Sequence, residues 1–288
     1  MKKYLILMAA AMPLFCMMSC GRQPAAELTV MSFNMRYDNP DDGENNWRYR
    51  RERVAEVIVS HDVDIFGTQE LLNNQLNDLK ALLPDTYAEV GVGRNGGEKG
   101  EYNAVFYRKD RFELLDWGVF WLSETPEVVG SKGWDGACER LATWTVLRDR
   151  KGRELFFIDT HLDHVGETAR REGVSLLMKR IAALSGGRPV VLTGDFNANP
   201  ESDVIAHVIE GGVLYHTRDV AAERRGTSWS FSGFGHVPEA DRQLIDYVFV
   251  NDGFETLLHE VLPDTLDGGY VSDHAPILVK LRFADTAR

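Results

Sequence analysis

A layered α/β fold in a single domain is what this sequence predicts, and three observations predict it. Short β-rich apolar runs alternate with segments of helical spacing from Leu28 onward. Five of those runs end, begin or pass at a group that can chelate or titrate, and a sixth carries such a group inside it. No linker, repeat or low-complexity stretch divides the chain after its first residues, so the remainder fits one large core.

The elements follow in order. Leu28 to Phe33 is a β-rich run that stops at Asn34. Trp47 to Ser60 sets Val54, Val57 and Ile58 at helical spacing and predicts a helix. Its opening basic run, "RYRRER", reads as a solvated face with local pairs such as Glu52 with Arg48; the rival reading is a phosphate-binding patch. "DVDIFGTQE" is a short buried strand ending at Gln69 and Glu70, and "QLNDLKALL" is a helix. "EYNAVFYRKDRFELLDWGVFWLS" alternates as two strands with a tight turn near Lys109–Asp110. "LATWTVLRDRKGRELFFIDTHLD" is a hairpin about Lys151 and Gly152, and its second strand ends at His161. A helix follows with Val174, Leu177, Met178, Ile181 and Leu184 on one stripe, stopped by Gly186. "PVVLTGDFNANP" drives a buried strand into Asp195, Asn197 and Asn199. Then come a helix around Asp203 to Glu210, the strand "QLIDYVFV" carrying Asp246, and the strand "APILVKLRF" preceded by Ser272, Asp273 and His274.

Residues 1–19 read as a signal outside the fold. Lys2 and Lys3 are its basic start, and Tyr4 to Phe15 is an apolar run too short to span a bilayer. Ser19 and Cys20 follow, which resembles the bacterial lipoprotein signal, apart from Met17 where Leu is usual. That resemblance implies export and a lipid anchor at Cys20 facing the periplasm; the rival is an ordinary secretory signal. Residues 20–27 are a short tether, and 28–288 are the domain. Only Cys138 remains in the mature domain, so no internal disulfide staples it. The formal charge of −12 argues against a dedicated nucleic-acid binder, although a bound cation reverses the sign locally.

"SFNMR", "GTQE", "DTHLDH", "LTGDFNANP", "IDYVFV" and "SDHAP" resemble, in order and spacing, the motifs of the endonuclease/exonuclease/phosphatase superfamily. The resemblance covers Leu28 to Phe283. It implies a four-layer α/β sandwich of two packed, mainly antiparallel sheets flanked by helices. It also implies magnesium-dependent cleavage of phosphoester bonds, with manganese as the substitute ion.

A phosphodiester repels hydroxide and has a poor leaving group, so a hard cation on a non-bridging oxygen helps both. Glu70 is the expected carboxylate ligand, Asn34 an amide ligand or hydrogen-bond partner, and Asp273 the rest of the acidic wall. The resemblance pairs His274 with Asp246, sets His161 against the scissile phosphate, makes Asp195 deprotonate or orient the water, and gives Asn197 a phosphoryl contact. Gly194 is expected to let the backbone turn close to substrate. Arg140 is expected to clamp phosphate, and Tyr107 and Trp229 are substrate candidates; the alternative is a plain strand aromatic for Tyr107 and packing under loops for Trp229 and Trp134. His161, Asp163 and His164 raise a zinc reading, which the surrounding carboxylates and amides disfavour. The expected substrate is a small sugar-, lipid- or nucleotide-derived phosphate, with a nuclease and an inactive binding lipoprotein as rivals.

Overall fold

The computed structural model describes residues 28–284. The stretches expected to be signal and tether, Cys20 among them, lie outside the described residues. The first half runs β1 (Leu28–Asn34), α1 (Trp47–Ser60), β2 (Ile65–Gln69), α2 (Asn73–Leu82), β3 (Tyr87–Val90) and β4 (Val105–Arg108). Next come β5 (Phe112–Trp121), β6 (Leu141–Asp149), β7 (Glu154–His161), α3 (Glu167–Leu184), β8 (Val190–Asp195) and α4 (Asp203–Ile209). The remainder is β9 (Tyr215–His216), α5 (Thr217–Val220), β10 (Glu223–Arg225), β11 (Asp246–Val250), β12 (Phe254–Val261), β13 (Thr265–Leu266), β14 (Gly269–Tyr270) and β15 (Ile277–Phe283).

Two sheets hold most of these strands. One has seven, in the order β10-β12-β15-β1-β2-β4-β3, and the other six, in the order β5-β6-β7-β8-β11-β9. β1 and β2 lie against β7, β8 and β11 across the interface. Residues alternate between the faces of a strand. In β4, Val105 and Tyr107 therefore join the core between the sheets, while Phe106 joins the cluster under α1 and α2 with Trp47 and Leu79. α3 closes the opposite side with Val174, Leu177 and Ile181. The result is the expected sandwich of helix, sheet, sheet and helix.

Parallel neighbours need a crossover, and of the three parallel pairs, β10 with β12 included, two are joined by long helices. α1 joins the parallel pair β1 and β2, and α3 joins β7 and β8. These crossovers bring the C-terminal ends of β1, β2, β7 and β8 to one rim. Gly194 serves a different purpose from the one expected. A Cβ there would fall 2.3 Å from the Thr160 carbonyl oxygen, so glycine lets β8 lie against β7. The turn near Lys109–Asp110 stands where it was expected, and it joins strands of different sheets, because β4 pairs with β2 and β3 while β5 pairs with β6. One other expectation changes. Asp246 opens its strand rather than sitting inside it.

Candidate active site

Register assembles the first row of the site. His161 of β7 pairs with Asp195 of β8, and Asp195 pairs with Asp246 of β11. Partners across neighbouring strands stand on the same face about 5 Å apart. Three polar residues distant in sequence thus form a line at the end of one sheet. The other sheet adds Asn34 at the end of β1, paired with Gln69, and Glu70 follows directly. Asn34 joins the rows: its Nδ2 donates to Asp195 Oδ2 at 2.9 Å and to Glu70 Oε1 at 3.2 Å. Its Oδ1 accepts the Arg36 backbone N–H at 3.0 Å, so the structure uses Asn34 as a hydrogen-bond bridge.

A buried carboxyl fixes the sheet spacing beneath. Asp159 accepts from Gln69 Nε2 at 2.7 Å, Thr193 Oγ1 at 2.6 Å and Asn103 Nδ2 at 3.2 Å. Burial pushes it well above the ordinary carboxylate range, against the pull of those donors. A Cβ at Gly67 would meet it at 2.1 Å, so only glycine fits opposite.

Three site residues hold left-handed backbone: Arg36 (φ 52°), Glu70 (φ 64°) and Asn197 (φ 47°). Each costs about 1–3 kcal/mol and persists only where the surroundings over-determine it. For Glu70 the determinants are Asn34 and the Tyr37 N–H, which donates to Oε2 at 3.1 Å. For Asn197 they are its own N–H on Asp195 Oδ1 at 2.9 Å and its Nδ2 on the Leu162 carbonyl at 3.0 Å.

The titratable groups divide into distinct states. His274 Nδ1 lies 2.8 Å from Asp246 Oδ2, which also accepts from Ser230 Oγ at 2.6 Å. Burial alone would lower the imidazole, but Asp246, then Asp273 and Asp195, raise it well above the usual histidine value. The carboxylates thus favour the charged form of His274, and its Nε2 stands 3.9 Å from Asp195 Oδ2. His161 is the opposite case. Burial, followed by Arg140, holds it well below the usual value, and its Nε2 accepts from Asn197 Nδ2 at 3.1 Å. Burial and then Asp246 lift Asp195 to about 7. Burial also raises Asp273.

A pocket of about 680 Å³ opens above these groups. Glu70, Arg140, His161, Asp195, Asn197, Asp273 and His274 line it, while Asn34 and Asp246 support them from below, each 1% exposed. Tyr107 is not brought there: its ring lies in the core between the sheets. Trp229 is not brought there either, because it packs in the core under the Arg242 guanidinium at 4.4 Å. Phe231, two residues on, does line the pocket, its ring 4.9 Å from His274. His161 does not join Asp163 and His164, which lie instead with Cys138, their ligand atoms within 4.8 Å of one another. The Asp163 carboxylate accepts the backbone N–H groups of Ala137, Cys138, Val165 and Gly166. Burial would raise it, and those four donors hold it well below the ordinary range.

Sequence reasoning missed several residues at the site. Arg94 and Glu101 line the pocket as an ion pair at 2.7 Å. Ser272 Oγ donates to the Asn34 carbonyl at 2.7 Å and so ties the Asp273–His274 loop to β1. Arg50 is fully buried rather than solvated. Its signal was present: it stands three residues after Trp47 and four before Val54, on the apolar stripe. Arg36 lines the pocket two positions after Asn34.

The comparisons place the chain among known proteins. The sequence profile of the Endonuclease/Exonuclease/phosphatase family matches residues 31–274. The chain belongs to that family. Its members are hydrolases that act on phosphate esters. A family structure from Bacteroides vulgatus is 41% identical, covers 89% of this chain and 99% of its own, and superposes with a TM-score of 0.86. A mannosyl-6-phosphatase of Bacteroides thetaiotaomicron is 36% identical, over 89% of this chain and 100% of its own, with a TM-score of 0.84. Carbon catabolite repressor protein 4 homolog 3 of Arabidopsis thaliana is 24% identical over 62% of this chain. The chain spans only 42% of that relative's length.

Proposed function

We propose that the protein is a metal-dependent phosphoesterase that hydrolyses a small phosphate ester, a sugar phosphate foremost, by in-line attack of water. The meeting of Asn34, Glu70 and Asp195 with the Asp246–His274 pair at one rim carries this reading. Likeness to a mannosyl-6-phosphatase at 36% identity supports the sugar phosphate, and the acidic balance of the chain disfavours a duplex substrate.

The donor set fits a hard divalent cation. Glu70 and Asp195 offer carboxylate oxygens within 4.8 Å of each other and of a His274 ring nitrogen. Asp246 favours the charged form of His274 and Asp195 is needed as a base, so the Glu70 and Asp273 carboxylates would hold the ion. That suits magnesium or manganese better than zinc. The cation, when bound, neutralises charge on a non-bridging phosphoryl oxygen. The chain's own groups do the rest. Asp195 takes a proton from the attacking water near neutral pH. Protonated His274 donates from Nε2 to the phosphate. Asn197 holds neutral His161 in place, and Arg140, only 7% exposed and with its Nε lacking a hydrogen-bond partner, receives the phosphoryl group.

The test is phosphate release from mannose 6-phosphate and a panel of other small esters, with magnesium and with a chelator. Turnover that the chelator abolishes is expected. Plasmid DNA cleaved in preference to every small ester would sink the reading. Glu70→Gln is expected to raise the magnesium requirement by more than about tenfold while leaving the melting curve unchanged. An unaltered magnesium activation curve removes Glu70 from the metal site.

We further propose export and a lipid anchor at Cys20, facing the periplasm, from the signal pattern alone. Cys20→Ser is expected to move the protein to the soluble fraction, since no helix among the described residues is long and apolar enough to cross a membrane. Continued pelleting with membranes in high salt overturns the anchor.

A further inference from the structure

Glu70 and Asp273 share a cation that belongs to the chain. Arg36 Nη1 lies 4.0 Å from Glu70 Oε2, and Arg36 Nε lies 3.8 Å from Asp273 Oδ2. The guanidinium is moored. Its Nε and Nη2 donate to the two oxygens of Asp42 at 3.0 Å each, and its carbon stands 4.5 Å from the centre of the Tyr37 ring. Its backbone is held as well: the carbonyl accepts from Gln75 Nε2 at 2.9 Å and Arg50 Nη2 at 3.2 Å. These contacts sustain the left-handed φ of 52° that aims the side chain at the pocket.

We propose that Arg36 is the site's built-in second cation, so that the protein binds one divalent ion and completes the charge on the phosphate with a guanidinium. Two-metal phosphoesterases set two ions about 3.5–4 Å apart, with carboxylates between them. Here the carboxylates of Glu70 and Asp273 already face a permanent positive charge. One dication uses the remaining negative charge of these carboxylates with Asp195, and a second would meet both that ion and the guanidinium, with partial burial weakening the screening that would relieve the repulsion. Asp42 uses two of the five N–H donors of an arginine, and the others are left for a phosphoryl oxygen. Asp42 also keeps Arg36 from collapsing fully onto Glu70 and Asp273, whose oxygens stay at ion-pair rather than hydrogen-bond distance.

The inference rests on the metal-dependent reading above, and the measurement separates the two. Manganese is titrated into the purified protein, with stoichiometry read by calorimetry and the coupling between ions by electron paramagnetic resonance. One ion per wild-type chain is expected, with no coupled pair. Arg36→Met and Arg36→Gln are each expected to take up two. Both variants should lose about 10²-fold in kcat/KM with magnesium and recover part of it as manganese is raised. Two ions in the wild type overturn this inference and leave the metal-dependent reading standing; no ion at all overturns both. Folded variants that stay at one ion, or that keep full activity, also overturn it. Thermal melts identify the folded variants. If neither folds, the wild-type count decides: one ion supports the inference and two refute it.

Discussion

His274→Ala and Asp246→Asn are each expected to lower kcat/KM by about 10²–10⁴-fold, and the double variant is expected to be little worse than either. The basis is a buried contact rather than a motif. Asp246 Oδ2 lies 2.8 Å from His274 Nδ1, and both side chains are almost fully buried. An unpaired carboxylate in that position would be costly, so the histidine and Ser230 are its compensation. In return the carboxylate orients the ring and keeps it charged, with Nε2 directed towards Asp195. Removing either partner removes the same function, and the second removal has little left to take. A double-mutant cycle at fixed magnesium reads this, with circular dichroism and thermal melts to confirm folding. Fully additive losses would show that the residues act separately, and the pair would have to be abandoned.

Much of this site was legible because its residues sit at strand ends, and strand ends are local. Apolar runs that stop at Asn34, Glu70, His161 and Asp195 can be read from a few residues each. The register that lines up His161, Asp195 and Asp246 cannot, since it is set by pairing between segments far apart in the chain. The same limit explains Tyr107. Alternation identified its strand, but the face that meets the second sheet follows from partners Ile65 and Ala88. Trp229 and Phe231 share one Ser- and Gly-rich loop, and composition does not distinguish the ring under Arg242 from the ring at the pocket. The shortest strands, such as β9, β13 and β14, have two residues each, too few for any period to register. β3 and β12 went unread for another reason. Both flank turns, and their pattern is broken by exposed or half-buried positions.

Arg50 is where a charged residue was misread most completely, and its replacement should have the largest effect on stability. Arg50→Met is expected to cost about 3–5 kcal/mol, the scale of stranding groups that a buried charge had satisfied. The guanidinium donates to four backbone carbonyls: Asn45 at 2.6 Å, Met35 at 3.0 Å, Val271 at 2.7 Å and Arg36 at 3.2 Å. Burial lowers its pKa to about 10, still far above neutrality, so the charge is retained. Those carbonyls belong to the segment just after β1, the turn before α1 and the segment leading into Ser272, Asp273 and His274. One side chain therefore fastens together the pieces that carry Asn34 and Arg36 on one side and Asp273 and His274 on the other. Methionine would fill much of the space between the Trp47 and Phe234 rings, and it would take the donor from the Asn45, Met35 and Val271 carbonyls, while the Arg36 carbonyl keeps Gln75 Nε2. Arg50→Lys separates charge from geometry. A lysine keeps the charge, but a single ammonium cannot span four carbonyls on separate segments. It is therefore expected to recover less than half of the lost stability. Urea unfolding of the three proteins reads this directly, and kcat/KM on the folded fraction shows whether the loops lose their alignment too. If Arg50→Met costs less than about 1 kcal/mol, the carbonyls have found other donors and Arg50 is not the fastening. If lysine restores full stability, its charge is what the fold requires and the fork geometry is incidental.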